Sequence, residues 1–287
     1  MAEHQTLVAL SREPISEKLV FELKDHAAQF GATLHTLGGQ IANGPYHSER
    51  WACSQHLDVI QREKLRTLCS QYKTDLCFLN ADLVPKDIQI LAMDMDSTLI
   101  NIECIDEIAD FTGKKSAVAQ ITEATMRGEI KDFKESLRRR VALLEGIHAD
   151  ALEAVYRERL QPNPGAVELL AGAQQRGLYT LLVSGGFTFF TEKLRERLGF
   201  KQTQANTLEI KDGKLTGKVI GEIVDGVAKA AYLDEACNLL GCTKASAIAM
   251  GDGANDLIMM KDAGISVAYR AKPVVKEKAD EIGRAHV

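Results

Sequence analysis

Two aspartates one residue apart, Asp94 and Asp96, close an apolar run that begins at Ile90. A carboxylate at the end of a buried strand stands where an open α/β sheet binds ligands, in the crevice beyond the carboxyl ends of its strands. Alone, the Asp94-Met-Asp96-Ser-Thr pattern is weak, because aspartates also open turns. Two further polar segments follow apolar runs in the same way. Ser184-Gly185-Gly186 offers a hydroxyl and then backbone N–H groups without side chains to shield them, which suits an anion, although by itself an ordinary glycine turn explains it slightly better. Met250-Gly251-Asp252-Gly253-Ala254-Asn255-Asp256 adds two carboxylates and an amide. Three such strand ends in one sheet are improbable as coincidence. Asp94 and Asp252 are hard oxygen donors of the kind Mg2+ takes, together with substrate phosphate and water.

Magnitude narrows the chemistry. Phosphate-monoester hydrolysis is so slow unaided that its enzymes supply accelerations of up to ~10²¹. A general acid contributes only about 10²–10⁴-fold, so covalent catalysis, a metal and cationic clamps are needed together. Asp94 can attack phosphorus as a carboxylate, and Asp96 can protonate the leaving oxygen and later deprotonate water. Magnesium would offset the repulsion between nucleophile and phosphoryl oxygens. Lys229, in Val227-Ala-Lys229-Ala-Ala, is a further candidate cation, although an isolated lysine on a helix is more often exposed.

These residues need elements to position them. The 287 residues, 45% hydrophobic and 26% charged, suit one large or two moderate globular domains. A net charge of −5 argues against nucleic acid, and the basic run Arg138-Arg139-Arg140 is short enough to be a solvated helix face. No apolar stretch approaches the roughly 20 residues of a membrane span. The start, Met1-Ala-Glu-His-Gln, lacks signal-peptide features, so a cytoplasmic location is expected. Six cysteines without a C-x-x-C pair, and seven histidines without ligand spacing, speak against structural zinc and a disulfide framework.

Residues 1–82 read as a small unit of order βαββαβ, a ferredoxin-like sandwich. Its strands are expected at Thr6 to Leu10, Thr33 to Leu37, Trp51 to Leu57 and Leu76 to Leu79. Ser16 and Gly31 would bound its first helix. After a linker at Asp82 to Asp87, apolar strands alternate with helices, which predicts a Rossmann-like α/β core with a parallel sheet over 88–287. Its strands are expected at Ile88 to Met93, Leu178 to Val183, Ala247 to Met250 and Ile265 to Ala268. Helical periodicity alone fills about 103–162, which predicts an inserted helical cap. A β-hairpin turns at Asp212-Gly213.

The set Asp94-Met-Asp96-Ser-Thr, Ser184-Gly-Gly, Lys229 and Gly251-Asp252-Gly-Ala-Asn255-Asp256 resembles the four-motif signature of the haloacid dehalogenase-like hydrolase superfamily. Asn101-Ile-Glu103-Cys-Ile-Asp106-Glu107, Phe133-Lys-Glu-Ser136-Leu137-Arg-Arg-Arg140-Val141 and Asp212-Gly213-Lys-Leu-Thr-Gly bring it closer to the phosphoserine phosphatase family. That resemblance implies hydrolysis of O-phospho-L-serine, the last step of serine biosynthesis. It implies Asp94 as nucleophile and Asp96 as proton donor, with Mg2+ on the Asp94 carboxylate, the Asp96 carbonyl and the Asp252 carboxylate. Ser184, Gly185, Lys229 and Asn255 would hold phosphate, and Asp256 would support the lysine or metal. Glu103 would receive the substrate ammonium and Arg140 its carboxylate, an assignment that the planar guanidinium suits. Phe133 and Met126 would wall the pocket. The family usually continues through another strand and helix after Asp280, and the N-terminal unit is similar to an ACT-like domain, which allows regulation or a homodimer. The alternatives are a phosphatase or phosphotransferase acting on another small phosphomonoester, and a ligand-binding regulator with a vestigial catalytic part.

Overall fold

The computed structural model describes residues 5–80, 83, 85–126 and 129–283. Strict alternation of buried and half-buried residues makes strands of β1 (Gln5–Ser11) and, across most of its length, of β5 (Thr74–Asn80), each with one face against helices. Between them lie α1 (Glu17–Gln29), β2 (Leu34–Thr36), β3 (Ile41–Asn43), β4 (Tyr46–Cys53) and α2 (Val59–Gln71). The Ser16 hydroxyl caps α1 by accepting from the Leu19 N–H, as the sequence predicts. The order β2-β4-β1-β5, antiparallel throughout, is the split βαβ pattern of a ferredoxin-like sheet.

One strand departs from expectation. β4 starts at Tyr46 and ends at Cys53, because it pairs with the short β3 across Gly44, at φ +59°. Its expected C-terminal end is instead the approach to α2, where Asp58 and Gln61 form a reciprocal capping box. The expected linker falls partly on residues 82 and 84, outside the described residues.

In the second unit, β6 (Ile90–Met93) is buried along its whole length, as a central parallel strand covered on both faces must be. Then come the cap helices α3 (Cys104–Asp110), α4 (Lys115–Met126), α5 (Phe133–Ala142) and α6 (Asp150–Glu158). The core resumes with α7 (Ala166–Gln175), β7 (Tyr179–Phe187), α8 (Thr188–Leu198), β8 (Gln202–Lys211), β9 (Lys214–Ile220), α9 (Gly226–Leu240), β10 (Ala247–Gly251), β11 (Ile265–Tyr269) and β12 (Glu281–Gly283). The strand order is β12-β11-β10-β6-β7-β8-β9, parallel except for β9 against β8. The hairpin turns where predicted, with Asp212 at φ +51° and Gly213 at +74°. One apolar cluster runs from Leu91 and Met93 into the cap through Ile105, Ile108, Val141 and Leu152, so the cap rests on the sheet's carboxyl end.

The two sheets meet edge to edge at β5 and β12. Glu281 bridges them: its Oε1 accepts from the Phe78 N–H at 2.6 Å and its Oε2 from Arg66 at 3.1 Å. No helix among the described residues is long and apolar enough to cross a membrane.

Candidate active site

Asp94 leaves the end of β6 with its N–H bonded to the Met250 carbonyl at 3.0 Å, so the ladder to β10 fixes its backbone. Its Oδ1 accepts from the Met95 N–H at 2.8 Å and from the Lys229 ammonium at 2.7 Å. Lys229 projects from the first turn of α9, which Asp225 caps by accepting from the Ala228 N–H. Its side chain is 0% exposed, so the reading of Lys229 as a solvated helix lysine is excluded. The ammonium also reaches Asp256 Oδ1 at 2.6 Å, and Asp256 Oδ2 accepts from the N–H groups of Asp252 and Gly253 at 3.1 and 3.0 Å. Asp256 therefore ties the lysine to the loop that carries Asp252.

Carboxylate oxygens of Asp94, Asp252 and Asp256 lie within 4.8 Å of one another. Three carboxylates against one ammonium leave two negative charges in a buried crevice. Burial, and then Asp256, push the Asp94 carboxyl well above its usual range, with Lys229 opposing. The same two causes raise Asp252 to about 7. Burial would depress Lys229, but Asp256 and then Asp94 reverse this and keep it charged. Asp256 has both oxygens engaged by the lysine and two amides, so Asp94 and Asp252 are the donors left for a cation. The excess charge and the hard oxygen donors fit a divalent ion of the magnesium type.

Asp96 stands on the other side of the crevice. Its Oδ1 accepts from the Cys104 N–H at 3.4 Å, and a Cβ on Gly186 would come within 2.8 Å of its Oδ2. A side chain at Gly186 would push the Asp96 carboxylate and the Met95 methyl out of their present places. Burial, and then the charge of Glu103, raise the Asp96 carboxyl to about 8. Ser184 is fully buried, and its Oγ accepts from the Gly186 N–H at 2.8 Å. From the cap, Phe133 covers Gly185: a Cβ there would meet the ring at 3.1 Å.

Glu103 accepts from the Ser97 hydroxyl at 2.7 Å at the cap's entrance. Arg140 lies half-buried on α5, with its Nε donating to the Ser136 carbonyl at 3.4 Å, and its charge is felt by Glu103, Asp106 and Asp96. Burial lowers its pKa. The structure thus gathers Asp94, Asp96, Ser184, Gly185, Lys229, Asp252 and Asp256 around one crevice, with Glu103, Phe133 and Arg140 above it. Asn255 is held only loosely, its amide 3.5 Å from Asp256 Oδ1. The Met126 side chain lies outside the described residues.

Known proteins bear on this geometry. The profile of the haloacid dehalogenase-like hydrolases matches residues 91–261. A phosphoserine phosphatase from Polaromonas sp. is 57% identical over 202 residues, covering 69% of this chain and 86% of that one. The chain belongs to the haloacid dehalogenase-like hydrolases, in the phosphoserine phosphatase family. A phosphoserine phosphatase from Streptomyces coelicolor is 38% identical over 275 residues, 96% of this chain and 66% of that one. Among solved structures, an unliganded probable phosphoserine phosphatase from Vibrio cholerae superposes with a TM-score of 0.80 at 34% identity, covering 97% of this chain and 82% of the other. A phospho-aspartyl intermediate analogue of phosphoserine phosphatase superposes at 0.64 with 41% identity, covering 68% and 92%.

Thr98, the end of the Asp94-Met-Asp96-Ser-Thr motif, has its Oγ1 3.4 Å from Asp252 Oδ1. Two further polar residues of this family member carry no motif. Asn206, 1% exposed on β8, donates to the Gly185 carbonyl and accepts from the Val224 N–H, both at 2.8 Å, and so shapes the loop after β7. Asn163, 3% exposed, grips the loop after Asp96. A buried amide within a strand or just past a helix gives no pattern in sequence; only its partners reveal it.

Proposed function

We propose that this chain hydrolyses O-phospho-L-serine to L-serine and phosphate through an aspartyl-phosphate on Asp94. The observation that carries the reading is the Asp94 carboxylate held by buried Lys229 at 2.7 Å, with Asp252 beside it and Asp96 across the crevice. Both contacts of Asp94 fall on Oδ1, which leaves Oδ2 for attack. In the first step an Asp94 oxygen bonds to phosphorus, the bond from phosphorus to the serine oxygen breaks, and Asp96 gives that oxygen its proton. In the second, water bonds to phosphorus, the Asp94–phosphorus bond breaks, and the proton of water passes to Asp96. A carboxyl raised to about 8 suits the acid of the first step, and its conjugate base suits the second.

Lys229, Ser184, the Gly185 amide and Asn255 would hold the phosphoryl oxygens, where charge develops. Magnesium, when bound, supplies the charge that lets two anions approach, and Asp94, Asp252 and the Asp96 carbonyl would hold it. Glu103 would take the substrate ammonium and Arg140 its carboxylate. The cap shields the reaction from water, with Phe133 already against Gly185. We take residues 1–82 as an ACT-like unit and 88–287 as the catalytic unit with its cap at about 103–162; the two separate sheets support this. A homodimer and a cytoplasmic location belong to the same reading.

Phosphate release from a panel of phosphomonoesters, with and without magnesium, tests it. Phosphoserine is expected to be preferred and turnover to need the metal. Preference for a sugar phosphate or phosphoglycolate would overturn the substrate assignment, and would favour a phosphatase or phosphotransferase of another small phosphomonoester.

A further inference from the structure

The loop from Asp94 to Asn101 carries the crevice's two leading carboxylates, yet it has no regular ladder of its own. Ser97 sits at φ +58°, a left-handed conformation that an L-residue keeps only when its surroundings impose it. The Ser97 N–H donates to the Ile102 carbonyl at 3.2 Å and its hydroxyl to Glu103, and the carbonyls that follow are gathered by Asn163. Its Nδ2 lies 2.9 Å from the carbonyls of both Thr98 and Ile100 and 3.4 Å from that of Ser97. Its own N–H donates to the Leu99 carbonyl at 2.9 Å. Four consecutive carbonyls of the loop therefore turn toward one residue, and two amide hydrogens serve three of them. The remaining amide atom, Oδ1, faces Arg270 NH1 at 3.5 Å.

Asn163 also stands at the neck of the cap. The chain rises into the cap after Ile100 and returns through Gln161 and Pro162, and the two passages are tied to each other. Ile100 bridges Pro162, the Asn101 N–H donates to the Gln161 carbonyl at 3.0 Å, and the Gln161 N–H donates to Asn101 Oδ1 at 2.9 Å. A cap that admits substrate and releases product must move on this neck. Without a clamp below it, that movement would pull directly on the loop holding Asp96.

We propose that Asn163 is a positioning residue: it anchors the loop at the base of the cap's neck and so keeps Asp96 aimed at the leaving oxygen while the cap moves. The proposal rests on the reading of Asp96 as proton donor, and it makes a demand that packing alone does not. Loss of aim should matter most when the leaving group needs a proton. The alcohol of phosphoserine is a poor leaving group, whereas para-nitrophenolate leaves without one.

The test compares kcat and KM of Asn163→Ala, Asn163→Ser and Asp96→Asn on phosphoserine and on para-nitrophenyl phosphate, with the full chain and magnesium. Asn163→Ala is expected to lower kcat/KM on phosphoserine by about 10- to 10²-fold, within the range of a general acid. On the aryl phosphate, whose leaving group needs no proton, kcat/KM should stay within about 3-fold even if the shared second step slows its kcat. Asn163→Ser keeps one donor and should recover part of the loss; it also serves if the alanine variant does not fold. If Asp96→Asn shows the leaving-group dependence and neither Asn163 variant does, the positioning role is wrong. If Asp96→Asn itself lowers kcat/KM equally on both substrates, the assignment of Asp96 as proton donor has failed instead; kcat/KM reports the first step alone, so the water-activating role of Asp96, common to both substrates, does not enter it.

Discussion

The molecule buries two clusters of opposite charge, and they are built on different principles. In the crevice, Lys229 faces Asp94 and Asp256 with Asp252 beside them, so negative charge is in excess. At the joint between the sheets, Arg66 pairs with Glu281, with the Phe78 amide on the second oxygen, and the neighbouring Arg62 and Asp280 keep the charges even. Both are almost dry: the side chains of Lys229 and Asp256 are 0% exposed, and those of Arg66 and Glu281 are 8% and 5%. A balanced set of charges holds parts together and asks for nothing more. An unbalanced cluster is costly in the folded protein and becomes favourable only when further positive charge arrives, which marks it as a place that binds. Burial of charge alone does not distinguish function from structure; the imbalance does.

Removing the proposed nucleophile should give the largest effect. Asp94→Asn keeps shape and the Met95 contact but takes away the attacking carboxylate, and phosphate release should fall by at least about 10⁴-fold. Unchanged release would mean that the imbalance serves something other than an aspartyl-phosphate. The next comparison sets the two cations side by side by denaturant unfolding. Lys229→Met strands two buried carboxylates and Arg66→Met strands one, and each should destabilise by about 3–5 kcal/mol. The double change Arg66→Met with Glu281→Leu should recover most of that loss and retain turnover, because an apolar pair can replace a balanced one. No apolar replacement of Lys229 and Asp256 should restore turnover. If the joint double variant stays as unstable as the single ones, Arg66 and Glu281 are not an isolated pair.

The two clusters were also unequally legible in sequence. Asp94, Ser184 and Asp252 end apolar runs, so their convergence follows from parallel-sheet topology before any coordinate is seen. Lys229 could be named but not placed, since nothing in Val227-Ala-Lys-Ala-Ala distinguishes a buried lysine from a solvated one. Arg140 stood out from Arg138 and Arg139 only through family resemblance. The joint was invisible: Arg66 and Glu281 are 215 residues apart, and β12 is three residues long. The start of β8 was missed for a related reason, because Gln202-Thr203-Gln204 shows no apolar run even though it pairs with β7.

Arg140 sharpens the comparison from the cap. It is expected to recognise the substrate carboxylate rather than balance the crevice, so Arg140→Ala should raise KM for phosphoserine. A charge-assisted hydrogen bond worth about 1.5–3 kcal/mol corresponds to roughly 10- to 10²-fold in kcat/KM. Turnover of para-nitrophenyl phosphate should stay within about 3-fold. Equal loss on both substrates would move Arg140 into the charge economy of the crevice.

The last comparison tests the joint by pH. Burial outweighs Arg66 and the Phe78 amide and raises the Glu281 carboxyl to about 7, above the ~4.3 of an unfolded glutamate. The folded chain therefore holds this proton more tightly than the unfolded one. Its contribution to stability is complete below about pH 4, declines as pH rises toward 7, and is gone above it. Glu281→Gln cannot titrate, so its unfolding free energy minus that of the parent should rise across this window and level off above pH 7. The crevice does not enter this difference, because its carboxylates are common to both proteins. A flat difference from pH 4.5 to 8 would mean that Arg66 keeps Glu281 ionised throughout, and that the joint is more fully balanced than its burial suggests.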